Sequence, residues 1–217
     1  TVEDPIEYTL EGIGQTQVNN KTGYDFARGL RSILRQDPDV VMLGEIRDEE
    51  TARIAIQSSL TGHLVMSTVH TNSAVGAITR LRDMGIESFL LASSLKTIIS
   101  QRLVRRLCNE CKSETKVSQR AIELLGLKKG QTVFSAKGCN HCDGTGYKGR
   151  IAIAESIQIS TDLKDMIHDE ASEQDIHKIA FKDIQTIDQI GSELLTQGLT
   201  SPEELIRINN QQEDASI

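Results

Sequence analysis

Two kinds of side chain in this sequence are spaced for chemistry: four cysteines, and a small set of carboxylates and histidines. Cys108 and Cys111 form one Cys-x-x-Cys pair, Cys139 and Cys142 a second, with 27 residues between the pairs. Each pair chelates, and two pairs together close a tetrahedral four-thiolate site of the kind zinc takes. Four sulfur ligands leave no open coordination position, so such a metal would hold structure rather than react. An iron–sulfur centre or two redox dithiols would use the same residues and remain open. His141 lies between two of these ligands and is not expected to be a fifth.

The second set centres on Asp37-Pro-Asp-Val-Val-Met-Leu-Gly-Glu-Ile-Arg-Asp48. A Pro turn leads into four apolar residues, the pattern of a strand buried on both faces. Gly44 and Glu45 then fall where that strand ends. In open parallel α/β sheets ligands bind at the carboxyl ends of strands. Glu3 and Asp4 stand at another strand end, before an Asp-Pro turn. A carboxylate so placed can hold a magnesium-bound water or orient an attacking water, and a second can act as general base, as a nucleoside triphosphate site requires. His63 and His70 bracket a further apolar run and would contact phosphate, although a single histidine is more often a satisfied structural residue. No Gly-x4-Gly-Lys-Ser/Thr loop occurs in the sequence. Without it these residues alone should not bind ATP tightly.

The elements that must position these groups alternate. Short strands are expected at residues 1–4, 15–18, 40–43 and 63–70, with amphipathic helices at 25–35, 49–60 and 73–84. The spacing predicts one long helix from Ser88 to about Arg106, with Leu91, Leu95, Ile98, Ile99 and Leu103 on one side. Strand–helix alternation argues for a parallel sheet with crossover helices. Arg28, Arg31 and Arg35 line the polar face of the 25–35 helix, where either an anion or nearby carboxylates would neutralise them. Beyond Cys108 come a short helix at 118–125, a strand at 151–159, and small helices near 162–168, 173–184, 188–197 and 202–208. Four segments follow: 1–107, a core; 108–150, a metal-binding insert; 151–208, a strand and helices; and 209–217, a disordered tail.

The chain has 217 residues, 38% of them hydrophobic and 25% charged, enough for a sizeable core. No run of eighteen apolar residues suggests a membrane span, and no signal peptide opens it. Thr1 lies within an apparent strand, as in a fragment or processed piece. The charge of -7 is uneven: from Ser160 onward thirteen acids face four bases, leaving the rest near +2. A zinc-ribbon nucleic-acid module would want a basic, aromatic-bearing surface, yet the chain has no Trp and 3% aromatics.

Taken together, the motifs resemble the secretion ATPases of type II secretion and type IV pilus assembly. Val2-Glu-Asp-Pro-Ile-Glu-Tyr8 is similar to their aspartate box. Leu34 to Asp48 is similar to their Walker B segment, and Thr61-Gly-His-Leu-Val-Met-Ser-Thr-Val-His-Thr-Asn72 to their histidine box. The paired Cys-x-x-Cys resembles the zinc insert of the assembly and secretion branch, and 12–18 and 26–31 look most like the type II branch. The resemblance implies an α/β fold: the C-terminal part of a RecA-like P-loop ATPase domain, with a four-cysteine zinc insert and a C-terminal helical region. It further implies a homo-hexameric ATP motor at the cytoplasmic face of the inner membrane. That motor would power pseudopilus assembly and protein export beside inner-membrane platform proteins, without nucleic acid. Carried over, Glu3 would act as base on the attacking water and Glu45 through magnesium. His63 and His70 would be the histidine-box pair, and the four cysteines the zinc ligands. A RecA-like motor on nucleic acid would share Glu45 but has no reason to carry both boxes. After Gly149 and Arg150 the family usually has a further glycine; here Ile151 follows directly.

Overall fold

The computed structural model describes residues 1–71 and 73–214, with side chains described to Asn209. Asn72, the last residue of the 61–72 segment, and 215–217 lie outside the described residues. The chain divides into two compact units, Thr1–Ile98 with Gln158–Ala180, and Ile99–Ile157 with Phe181–Ile217.

The first unit is built on a four-stranded parallel sheet of order β2-β1-β3-β4: β1 Val2–Glu3, β2 Thr16–Gln17, β3 Val40–Leu43 and β4 Leu64–Ser67. Helix α1, Phe26–Ile33, starts because the Asp25 carboxylate accepts from the Arg28 N–H at 2.8 Å. Its buried residues are Phe26, Ala27, Gly29 and Leu30. Gly29 allows close approach to β1, since a Cβ there would meet Val2 Cγ1 at 2.9 Å. Helix α2, Glu49–Leu60, is capped in the same way by Asp48. Both helices lie against the sheet. Helices α3, Gly76–Asp83, and α4, Ser88–Ser94, follow, and α6, Thr161–His168, with α7, Glu173–Ala180, complete the unit.

The sheet departs from expectation at β3. Val41 and Leu43 are buried as predicted, but Val40 and Met42 are not. Register pairs Val40 with Leu64 and Met42 with Met66, placing all four on one face, between 39% and 53% exposed. In the described residues helices pack on the other face, so the strand read as doubly buried is covered on one side.

The long helix expected from Ser88 is also corrected. Helix α4 ends at Ser94, and Thr97–Leu107 forms strand β5, which pairs with β8, Tyr147–Gln158. The β-branched run Thr97-Ile98-Ile99 favours strand. Exposure alternates with period two from Thr97 to Arg105, a signal the helical spacing of the leucines masked.

The second unit adds a hairpin the sequence did not announce, β6 Ser113–Lys116 with β7 Thr132–Ser135, joined through helix α5, Gln119–Leu125. Helices α8, Ile187–Thr196, and α9, Pro202–Asp214, pack their Ile187, Leu195, Leu205 and Ile208 with Val104, Val133 and Ile153 in one core. Helix α9 thus runs to Asp214, past the end expected at 208 and into the segment expected to be a disordered tail. Within this core Glu204 is fully buried, bonded by the Arg105 N–H and guanidinium at 2.9 and 2.8 Å and by Arg207 at 2.8 Å.

Candidate functional site

Glu3 and Glu45 emerge at the carboxyl edge of the parallel sheet from neighbouring strands, whose backbones lie about 4.8 Å apart. Val2 is the register partner of Leu43, and the Gly44 N–H donates to Val2 O at 2.8 Å. Thr68, just past β4, ties the next strand to the same edge. Its hydroxyl donates to Gly44 O at 2.7 Å, and its carbonyl accepts from the Ile46 N–H at 2.9 Å. His70 follows on this edge, its Nε2 3.2 Å from Glu45 Oε2. Three of the four candidate residues thus share one edge.

His63 does not join them. It precedes β4, at the sheet's amino edge, about 13 Å away along a four-residue strand. Its Nδ1 lies 3.0 Å from Ser58 O and 3.2 Å from Thr61 Oγ1, closing the α2–β4 turn.

Both carboxyls are held below the ordinary glutamate range. For Glu3 the causes are hydrogen bonds from the Thr1 hydroxyl and then from the Gln15 amide, the latter at 3.0 Å. For Glu45 the main cause is Arg47, whose Nε and Nη2 donate to Oε2 and Oε1 at 2.5 and 2.6 Å. Both are anionic at neutral pH, the state that suits a hard divalent cation or a polarised water. Arg47 was passed over in the sequence, where its position two residues after Glu45 was the available signal. A cleft of about 740 Å³ opens nearby, lined by Asp4, Asp25, Arg47 and Arg53 among others rather than by Glu3 or Glu45. Of the aligned arginines, Arg31 pairs with Glu50 and Arg28 donates to Gly23 O at 3.3 Å. Each of these two thus has a local partner in the chain.

The four cysteines do converge. Their sulfurs lie within 4.8 Å of one another, with Cys108–Cys139 at 3.9 Å, and Cys111–Cys142 and Cys139–Cys142 at 3.8 Å. A tetrahedron of Zn–S bonds of about 2.3 Å has edges of about 3.8 Å. The donor set therefore fits one tetrahedral metal ion. Burial pushes the Cys111 thiol up to about 12. At Cys142 burial acts the same way but is outweighed by the N–H groups of Cys139 and Gly146, 3.2 and 3.1 Å from the sulfur, which bring it to about 6. Backbone amides aimed at a sulfur stabilise the thiolate a metal needs.

Residues 1–207 match the family model described as Type II/IV secretion system protein. The chain belongs to this family. It is 53% identical over 210 residues to the putative type II secretion system protein E of Escherichia coli (strain K12), covering 96% of this chain and 43% of that protein. It is 53% identical to the type II secretion system ATPase E of Vibrio cholerae serotype O1, covering 97% and 42%. Similarity extends to the type IV pilus assembly ATPase PilB of Thermus thermophilus, at 47% identity over 95% of this chain and 24% of that protein. The chain thus spans under half the length of the curated relatives it matches. Among solved structures, the pilus retraction motor PilT with bound ADP aligns with a TM-score of 0.68 at 28% identity, covering 95% and 51%. The Legionella pneumophila ATPase DotB aligns at 0.65 and 21% identity, covering 97% and 50%, which speaks for the fold. The fold is the α/β fold of these ATPases, with a cysteine cluster able to hold a metal. No helix of the described residues is long and apolar enough to cross a membrane.

Proposed function

We propose that this chain is the C-terminal part of the ATP-hydrolysing motor subunit of a type II secretion system. The supporting observation is the single sheet edge that carries Glu3, Glu45 and His70 in a member of this family. In this reading Glu45 holds the magnesium-side position, and Glu3 is the base for the attacking water. Magnesium would neutralise charge on the transferring phosphoryl group. His70 orients Glu45, while His63 stays a structural residue of the α2–β4 turn. The four cysteines hold a structural zinc: four sulfurs at single-ion spacing suit one tetrahedral ion better than a cluster, whose cysteines bind separate irons. The complete subunit works as a homo-hexamer at the cytoplasmic face of the inner membrane, against platform proteins, and drives pseudopilus assembly. A type IV pilus assembly motor is the second reading, favoured by the similarity to PilB.

The deciding experiment places Glu45→Gln in the longer polypeptide that carries this chain together with a phosphate-binding loop. Turnover should fall at least about 100-fold, as for loss of a group acting in the transition state, while ATP affinity stays within a few-fold. Normal turnover in that variant removes Glu45 from the mechanism. The 217-residue chain alone should show no steady ATP turnover.

A further inference from the structure

Helix α3 follows the His70 segment directly, and both of its ends are tied to one short stretch, residues 167–173. At its start, the Ser73 hydroxyl accepts from the Gly76 N–H at 2.9 Å and donates to Glu173 Oε1 at 3.0 Å. The Ser73 carbonyl accepts from the Thr71 hydroxyl at 2.9 Å. At its end, Arg82 donates to Ile167 O at 2.8 Å and Ala171 O at 3.5 Å, satisfying carbonyls at the close of α6. Between these ties, the Ser88 hydroxyl donates to Glu170 Oε1 at 3.1 Å, and Glu170 takes a left-handed φ of 57°. A Cβ on Gly76 would meet Ser73 Oγ at 2.9 Å and Glu173 Oε1 at 3.5 Å, so the junction is closely fitted.

Two fixed points thus flank His70. One is Thr68, bonded to Gly44 and Ile46 beside Glu45. The other is Ser73, whose hydroxyl direction is set by Glu173. We propose that Glu173 is a positioning residue of the ATPase site: through Ser73 it fixes the far end of the segment that brings His70 to Glu45. Among the described residues Glu173 hydrogen-bonds Ser73 and not a candidate site residue. It acts at a hundred residues' sequence separation, from the first turn of α7. The proposal rests on the motor reading above, in which the His70–Glu45 contact belongs to the site.

The test uses the longer, ATP-hydrolysing polypeptide with Glu173→Ala, Glu173→Gln, Ser73→Ala and the Ser73→Ala/Glu173→Ala pair. Glutamine keeps an acceptor oxygen for the Ser73 hydroxyl; alanine does not. In Glu173→Ala, hydrogen exchange of amides from Ser73 to Ala77 and at His70 should quicken up to about tenfold, the loss expected for one hydrogen bond, while β3 is unchanged. The kcat should fall about tenfold with KM for ATP unchanged, as misplacement of a site group predicts. Glu173→Gln should restore both readouts, and the double variant should be no worse than either single one. Unchanged exchange in Glu173→Ala overturns the tie. Quickened exchange with unchanged kcat overturns the positioning role. Failure of the motor reading shows separately, as normal turnover in Glu45→Gln.

Discussion

At the scale of single residues, the chemistry rests on a few charges that have specific partners. Glu204 is the deepest. Burial pushes its carboxyl up, but hydrogen bonds from Arg207 and Arg105 outweigh this and bring it from 4.5 to about 2. A carboxyl depressed in the folded state adds stability that is complete above its unfolded pKa and lost as pH falls toward the folded one. The window here runs from about pH 4.5 down to about pH 2, and the contribution is about 3 kcal/mol. Denaturant midpoints between pH 6 and pH 2 should show this slope, and Glu204→Gln should flatten it while destabilising the protein at pH 6. A variant that keeps the slope would assign it to another group. The sequence made Glu3, Glu45 and the cysteines readable because strand ends and Cys-x-x-Cys spacing are local patterns. Arg47 and Glu173 were not readable in the same way. Arg47's pairing with the nearby Glu45 depends on rotamers, and Glu173's role on a contact between residues 73 and 173, which no window of sequence contains.

Among the elements, the cysteine turns show how backbone geometry brings four sulfurs to single-ion spacing. Gly138 and Gly146 have φ of 96° and 75°. A Cβ on Gly138 would lie 2.3 Å from Gly144 O, and one on Gly146 would lie 2.5 Å from the Ala136 Cβ. Side chains are excluded there, and the Gly146 amide is thereby free to reach Cys142. Purified protein should contain about one zinc per chain, measured by elemental mass spectrometry. Gly146→Ala should lose zinc to a chelator at least about tenfold faster, in the range reported for outer-shell changes. A folded, metal-free preparation would refute the zinc assignment. The elements also mark where sequence reasoning was misled. Leu95, Ile98, Ile99 and Leu103 fit a helical spacing and a strand equally well, and pairing with the distant β8 decided for the strand. The starts of α1 and α2 are local by contrast: Asp25 and Asp48 accept from N–H groups of their own first turns.

For the whole molecule, the apolar block of Val40, Met42, Leu64 and Met66 is the main anomaly. An all-parallel sheet is ordinarily covered on both faces, and exposed patches of this kind mark missing contacts. The 217-residue chain should bind a hydrophobic fluorescent dye. Met42→Lys with Met66→Lys should reduce that signal several-fold without altering far-ultraviolet circular dichroism, and unchanged dye binding would place the exposed surface elsewhere. The division into units has a separate consequence, for synthesis on the ribosome. Thr1–Ile98 cannot close its unit until Gln158–Ala180 exists, and that segment begins roughly 60 residues later and ends roughly 80 residues later. At about 5–20 residues per second, the sheet waits several seconds with the seat of α6 on α4 unfilled. The hairpin and cysteine turns emerge during that pause. A nascent chain would therefore present its four cysteines before its first unit is finished, and its assembly order need not follow its sequence order.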